Sequence, residues 1–268
     1  MRIAILSSLP WLDRHGYKNF FLEELAKKPW AQRSDVVLVY GRTKLSDYIK
    51  EARRFGFADG LKKLRTLSGP KGPRPAVSKV KKAKQLTSLA AELGIASRRF
   101  DRLGAPECIS FLKAFQPDVI CNLSGQYVPS RVLAIPRHGV FSGHYSLLPE
   151  LRGGDTVRWS IFLDRPVFVC HMVLAPEMDM GDIVRMNPVP VVRGDRLEDI
   201  YYRCQMTSAK GHLHLLDDLE AGRITRVSQR KEQGSLFYRM GRHLKLKVDE
   251  ALKENRYSHY VEADSGIA

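Results

Sequence analysis

The sequence predicts an α/β fold: a mostly parallel, twisted sheet flanked by helices, in two packed lobes, with a short C-terminal extension. Three observations carry this reading. The chain opens with an apolar run, a helical stretch and a second apolar run, the signature of a β-α-β unit with a right-handed crossover. Short apolar runs then recur between helical stretches as far as the middle of the chain. Finally, 268 residues with 44% hydrophobic and 27% charged content suffice for a substantial globular core.

The elements follow in order. Arg2–Ser7 reads as a buried strand, and Tyr17–Lys27 as a helix with Phe21, Leu22 and Leu25 on one face. Asp35–Tyr40 is a second buried strand. No G-x-G-x-x-G follows the first strand, so a dinucleotide fingerprint is absent. Leu45–Leu67 reads as a helix, Ser68–Pro75 as a loop dense in Gly and Pro, and Val77–Leu93 as a helix stopped by Gly94. Ile95–Arg99 is a short strand, Glu107–Phe115 a helix, and Asp118–Leu123 a strand that breaks at Ser124-Gly125. Gly139–Gly143 runs straight into His144. Val167–Val173 and Asp182–Val192 supply further strands, the latter broken by Pro188 and Pro190. Arg196–Ala221 is a long helix ending at Gly222, and the tail from Ile224 is polar and mixed, lying on the surface or across a lobe.

Composition narrows the partners. The formal net charge is +15, and most of the excess lies between about Arg42 and Arg102. Such a field favours anionic partners: phosphorylated metabolites, nucleic acid or an acidic membrane surface. The plain alternative is a solvated, lysine-rich helical insertion over about 42–94. Aromatic residues interleaved with the cations would favour nucleic acid, and between Lys62 and Arg99 there are none. No apolar run approaches the ~20 residues of a membrane span. Cys108, Cys121, Cys170 and Cys204 are scattered without a C-x-x-C pair, which points to free thiols in a reducing cytoplasm, with neither a disulfide nor a zinc site.

The chemistry concentrates in Ser142-Gly-His-Tyr-Ser-Leu-Leu-Pro149, Arg152-Gly-Gly154, His171 and Met178-Asp-Met-Gly-Asp-Ile183. A histidine at a strand end and an aspartate on a distant loop can pair, and such a pair tunes an imidazole for acid–base or oxyanion work. Ligands of open α/β sheets bind beyond the carboxyl ends of the strands, and the strand ends at Asn122–Tyr127 and Ser142–Ser146 fit that rule. Taken singly, His144 reads as a histidine satisfied by backbone, and Asp179 as a residue capping its own turn.

Together these residues resemble the folate-dependent formyltransferase family. Its methionyl-tRNA, glycinamide ribonucleotide and sugar N-formyltransferase members share a strand ending in Asn-x-His, a Ser-Leu-Leu-Pro loop, an Arg-Gly and a distal Asp-x-Gly-Asp-Ile. His144, Ser146–Pro149, Arg152-Gly153, His171, Asp179 and Gly181–Ile183 match, weakly from the first strand and strongly from about Asp118 to Val192. The resemblance implies a Rossmann-like catalytic domain over 1–222 and an extension over 223–268. It implies 10-formyltetrahydrofolate as formyl donor and an amine acceptor, with an amino sugar on a nucleotide best suited to the charge. His144 would stabilise the oxyanion, typically worth about 3–4 kcal/mol, with Asp179 favouring its cationic form. Backbone of Gly125, Gln126, Tyr127 and Val128 and of Ser146, Leu147, Leu148 and Pro149 would hold the pterin. The first lobe would favour the acceptor and the second carry the donor loops. Arg152–Gly154 would form a turn before the next helix, Tyr145 would narrow the acceptor mouth or simply pack, and His171 would either support the Asp179 turn or sit satisfied in the core.

One position departs: the family asparagine is Ser142, and a hydroxyl reaches less far than an amide. Losing an oxyanion donor costs about 10²–10³ in rate. Water or a side chain such as Asn122 could replace the amide, the reaction could be hydrolysis or another one-carbon transfer, or the chain could mainly bind. The alternative function is therefore a non-catalytic or altered member of the same scaffold, holding folate, nucleic acid or another anionic partner. On this resemblance neither the C-terminal β-barrel usual in methionyl-tRNA enzymes, for which the stretch after Gly222 is short, nor the N-terminal regulatory domain usual in formyltetrahydrofolate hydrolases is expected. Oligomeric state, including a homo-oligomer, stays open.

Overall fold

The structure is a computed structural model describing residues 1–7, 16–41, 84–124 and 127–262. The expected helix over Leu45–Leu67, the Ser68–Pro75 loop and the whole centre of the basic insertion lie outside the described residues. Those described group into two compact units, one up to Arg137 and one from His138.

The first unit is a parallel sheet with helices. Its strands are β1 (Arg2–Ser7), β2 (Asp35–Gly41), β3 (Ala96–Phe100) and β4 (Val119–Asn122), ordered β3-β2-β1-β4. All three pairings are parallel, with Ile3 opposite both Val36 and Val119. Helices α1 (Tyr17–Ala26), α2 (Leu86–Glu92), α3 (Pro106–Phe115) and the single turn α4 (Ser130–Leu133) make the connections. The core is what the apolar runs dictate: Ile3, Ile5, Leu22, Leu25, Val39, Leu112 and Ile120 are fully or almost fully buried. Strands buried on both faces read as continuous aliphatic runs rather than alternations. The helix expected over Val77–Leu93 has its described part at Leu86–Glu92.

The second unit is built differently. Strands β5 (Val140–His144), β7 (Phe168–Val173) and β8 (Ile183–Pro188) form an antiparallel ladder in the order β5-β7-β8. Between β5 and β7 come β6 (Leu151–Gly153) and helix α5 (Thr156–Phe162). After β8 follow β9 (Val191–Val192) and the 24-residue helix α6 (Leu197–Glu220). Gly222, at φ 67, ends it in the left-handed conformation common past a helix terminus.

The tail is ordered structure. Strand β10 (Ser235–Phe237) adds in parallel to β6, helix α7 (Arg242–Lys253) follows, and β11 (Tyr260–Val261) pairs with β9. Helix α7 buries Val248 and Leu252 in a cluster with Val157, Ile161, Val169, Ile200 and Cys204. The expectation of a turn at Arg152–Gly154 is thereby corrected: Leu151–Gly153 is a strand, because the tail brings it a partner. Gly153 is obligatory there, since its φ is 102 and a Cβ would lie 2.0 Å from the Phe237 carbonyl oxygen.

Candidate active site

His144 is the last residue of β5, and Ser142, two residues earlier, shares its face of the strand. His144 Nε2 donates to the Leu151 carbonyl at 2.8 Å, and the Ser146 hydroxyl donates to the same oxygen. This pins the imidazole at one end and turns Nδ1 toward Asp179, whose Oδ2 lies 3.6 Å away. At that distance the contact is a charge pairing rather than a hydrogen bond. The two side chains are 7% and 17% exposed, so the pair is only partly screened by water.

Asp179 does not cap its own turn. Its carboxylate accepts from the Gly153 backbone N–H at 2.8 Å, and its backbone is left-handed at φ 53. The turn is narrow at Gly181, where a Cβ would fall 1.6 Å from the Val173 carbonyl oxygen. The sequence alone gave no sign of the three groups that fix the pair: the Leu151 carbonyl, the Gly153 N–H and, from the tail, Gln229. A β6–β10 pairing is needed to place the first two, and 82 residues separate Arg152 from Gly234.

A cleft of about 220 Å3 opens beside His144, lined by Gly143, His144, Tyr145, Asp155, Thr156, Val157 and Tyr201. Tyr145 packs at its wall. Burial raises its phenol far above the ordinary range, with Cys204 adding to the rise and a Ser208 hydrogen bond opposing it, so it stays neutral. Burial likewise lifts Tyr201 to about 12. The Asp155 carboxylate accepts from Met240 N–H and faces Arg158, tying the cleft to the tail. A larger hollow, about 550 Å3, lies in the first unit among Arg2, Lys113, Asp118 and Arg137. It sits at the amino ends of β1 and β4, the opposite strand end from the one where α/β sheets bind ligands, so size does not make it the site.

His171 belongs to the other face of the ladder. It stands opposite Gly143, its Nε2 donates to the Ser208 carbonyl at 3.0 Å, and its ring meets His212 edge-on at 4.7 Å. His212 Nδ1 donates to the same carbonyl at 2.9 Å. Burial holds both rings below their ordinary range, with His212 further depressing His171. Of the two expectations for His171, the structure gives the core histidine.

The expected donor loops do not share a unit. Tyr127 and Val128 fall in the first, the former 72% exposed and the latter buried, while Ser146–Pro149 falls in the second. Gly125 and Gln126 lie outside the described residues. In the second loop the Leu147 carbonyl accepts from Leu151 N–H and Leu148 N–H donates to Cys170 Sγ, so pterin contacts would fall to its remaining backbone groups. The Leu148–Pro149 peptide is cis. Asn122, weighed as a substitute for the missing amide, turns its Oδ1 to the Ser124 N–H and hydroxyl. Burial raises the Cys170 thiol to about 11 and Cys121 to about 12, and all four cysteines are buried and unpaired. Among the described residues no His, Cys, Asp and Glu cluster forms a metal site, and no helix is long and apolar enough to cross a membrane.

Methionyl-tRNA formyltransferase of Geobacillus sp. (strain WCH70) is 31% identical over 149 residues, covering 54% of this chain and 46% of the relative. The Listeria innocua protein of the same name is 30% identical over 146 residues, covering 54% and 47%. The chain thus spans about half the length of the curated relatives it matches. A sugar N-formyltransferase from Shewanella sp. FDAARGOS_354 shares the fold with a TM-score of 0.59 at 16% identity, over 100% of this chain and 94% of the other. Glycinamide ribonucleotide transformylase 1 from Symbiobacterium toebii does so at 0.56 and 17% identity, over 85% and 94%. The formyl transferase model matches residues 28–216, which hold β5, His144 and the Asp179 turn, and the chain belongs to that family.

Proposed function

We propose that the chain transfers a formyl group from 10-formyltetrahydrofolate to a primary amine, the acceptor being an amino sugar carried on a nucleotide. The observation that carries the reading is the His144–Asp179 pair, held at 3.6 Å beside an open cleft. The donor supplies an activated formyl carbon. Attack by the acceptor amine forms a C–N bond and puts negative charge on the formyl oxygen; collapse breaks the bond to the folate nitrogen, which takes up the proton the amine gives. His144 is the residue set beside the developing charge, and the Asp179 carboxylate facing its Nδ1 orients the ring. Ser142, on the same face of β5, stands where the family has an asparagine.

The nucleotide-linked acceptor rests on charge. A net +15 chain draws anionic substrates, and a nucleotide brings phosphates. The fold it shares end to end with a sugar N-formyltransferase is compatible with that choice. The test is spectroscopic consumption of 10-formyltetrahydrofolate with and without a panel of amino-sugar nucleotides. Acceptor-dependent consumption supports the reading. Consumption unaffected by any amine points to hydrolysis, and folate binding without consumption points to a binding protein.

A further inference from the structure

The turn carrying Asp179 is held from outside. Its internal bond is long, Met180 N–H to the Glu177 carbonyl at 3.4 Å, and Asp179 is strained into the left-handed region. Gln229, in the tail, donates through Nε2 to the carbonyls of Asp179 at 3.0 Å and of Gly181 at 2.6 Å, bracketing the turn. Among the described residues its Oε1 is buried without a hydrogen-bond partner, so the side chain is committed through its amide nitrogen. Arg152 forms a second strut: its guanidinium donates to the carbonyls of Lys231 at 2.9 Å and Gly234 at 2.7 Å and touches Met180 Sδ. The residue after Arg152 gives the N–H that holds the Asp179 carboxylate.

We infer that Gln229 is a positioning residue for the His144–Asp179 pair, fixing the Asp179 turn from the C-terminal segment through the Asp179 and Gly181 carbonyls. Tail and site are one mechanical unit here: β10 builds β6, β6 presents Gly153, and Gln229 closes the bracket from the other side. Asp179 itself is held at both its carboxylate and its carbonyl. Loosening either shifts the carboxylate against the imidazole, and shifts of about 1 Å at such a pair cost up to about a hundredfold in rate.

The inference rests on the proposed formyl transfer only for its kinetic readout. Gln229→Leu keeps the bulk and removes the amide. It is expected to lower kcat about tenfold with the KM of both substrates unchanged, and to add no further loss in an Asp179→Asn background. A full additional loss in that background, or a change confined to KM, overturns it. The imidazole 15N resonances of His144 supply a readout that needs no turnover: Gln229→Leu should move them in the direction that Asp179→Asn does. Unmoved resonances in a folded Gln229→Leu protein overturn the inference even if the wild type transfers no formyl group. Moved resonances without wild-type turnover uphold it while refuting the proposed reaction. Should the leucine variant not fold, Gln229→Asn, one methylene shorter, gives the same comparison.

Discussion

Replacing Asp179 with asparagine isolates the charge on the candidate pair. The substitution keeps an oxygen able to accept from Gly153 N–H, the bond that anchors the side chain at 2.8 Å. It removes the negative charge 3.6 Å from His144 Nδ1. When the ring carries both N–H groups, a unit pair at this separation is worth about 1 kcal/mol in a water-like medium and about 4–5 kcal/mol at an effective dielectric of about 20. Side chains 7% and 17% exposed lie between those limits. We take about 2–3 kcal/mol, a loss of roughly 30- to 150-fold in kcat. The assay is loss of the formyl donor at saturating acceptor, with circular dichroism and a thermal melt to show the fold is retained. Because the pairing acts after binding, the KM of the donor should hold. Turnover within threefold of the wild type, in a folded variant, would refute the argument that this carboxylate assists His144.

Four other expectations follow from the same geometry. His144→Ala should abolish transfer while folate binding, measured by fluorescence titration, stays largely intact; near-normal turnover would contradict the role. His171 and His212 are held neutral by burial, so their folded pKa lies below the unfolded 6.5. Their contribution is then fully present above pH 6.5 and lost as pH falls through the folded value; urea midpoints should drop below pH 6.5, and less steeply in His212→Gln, whereas equal acid slopes would count against it. Gly153→Ala must fit a Cβ against the Phe237 carbonyl at φ 102 and should cost about 2–3 kcal/mol in a denaturation curve, with activity falling as the Asp179 anchor shifts. Leu252→Ala, at a side chain only 2% exposed in the α5–α7 cluster, should cost about 2–4 kcal/mol, and a loss below 1 kcal/mol would mean α7 is not part of that core.

Much of this was legible in the chain. The aliphatic runs at Ile3–Leu6, Val36–Val39 and Val119–Cys121 give β1, β2 and β4 because parallel strands buried on both faces leave no polar interruption. His144 and Asp179 were readable from their motifs, and the structure brings them together. The side of the ladder on which His171 sits was not readable: Val169-Cys-His-Met-Val173 is apolar throughout, so alternation cannot assign faces, and only the register opposite Gly143 does. Strands β6 and β10 are three residues each and pair across the second unit, beyond any local pattern. Helix α7 carried a signal that was missed, since Leu244, Val248 and Leu252 recur every four residues within a charged stretch. Gln229 carried none; one glutamine in a polar tail acquires meaning only when two carbonyls are found opposite its amide.

The central claim is that His144 drives formyl transfer to an amine. It is tested most directly by following a 13C-formyl label from the donor by NMR, in the wild type and in His144→Ala. The account predicts that the label appears as an amide on the acceptor with the wild-type protein and stays on the donor with the variant. Label released as formate regardless of acceptor, or transferred equally by both proteins, would contradict it.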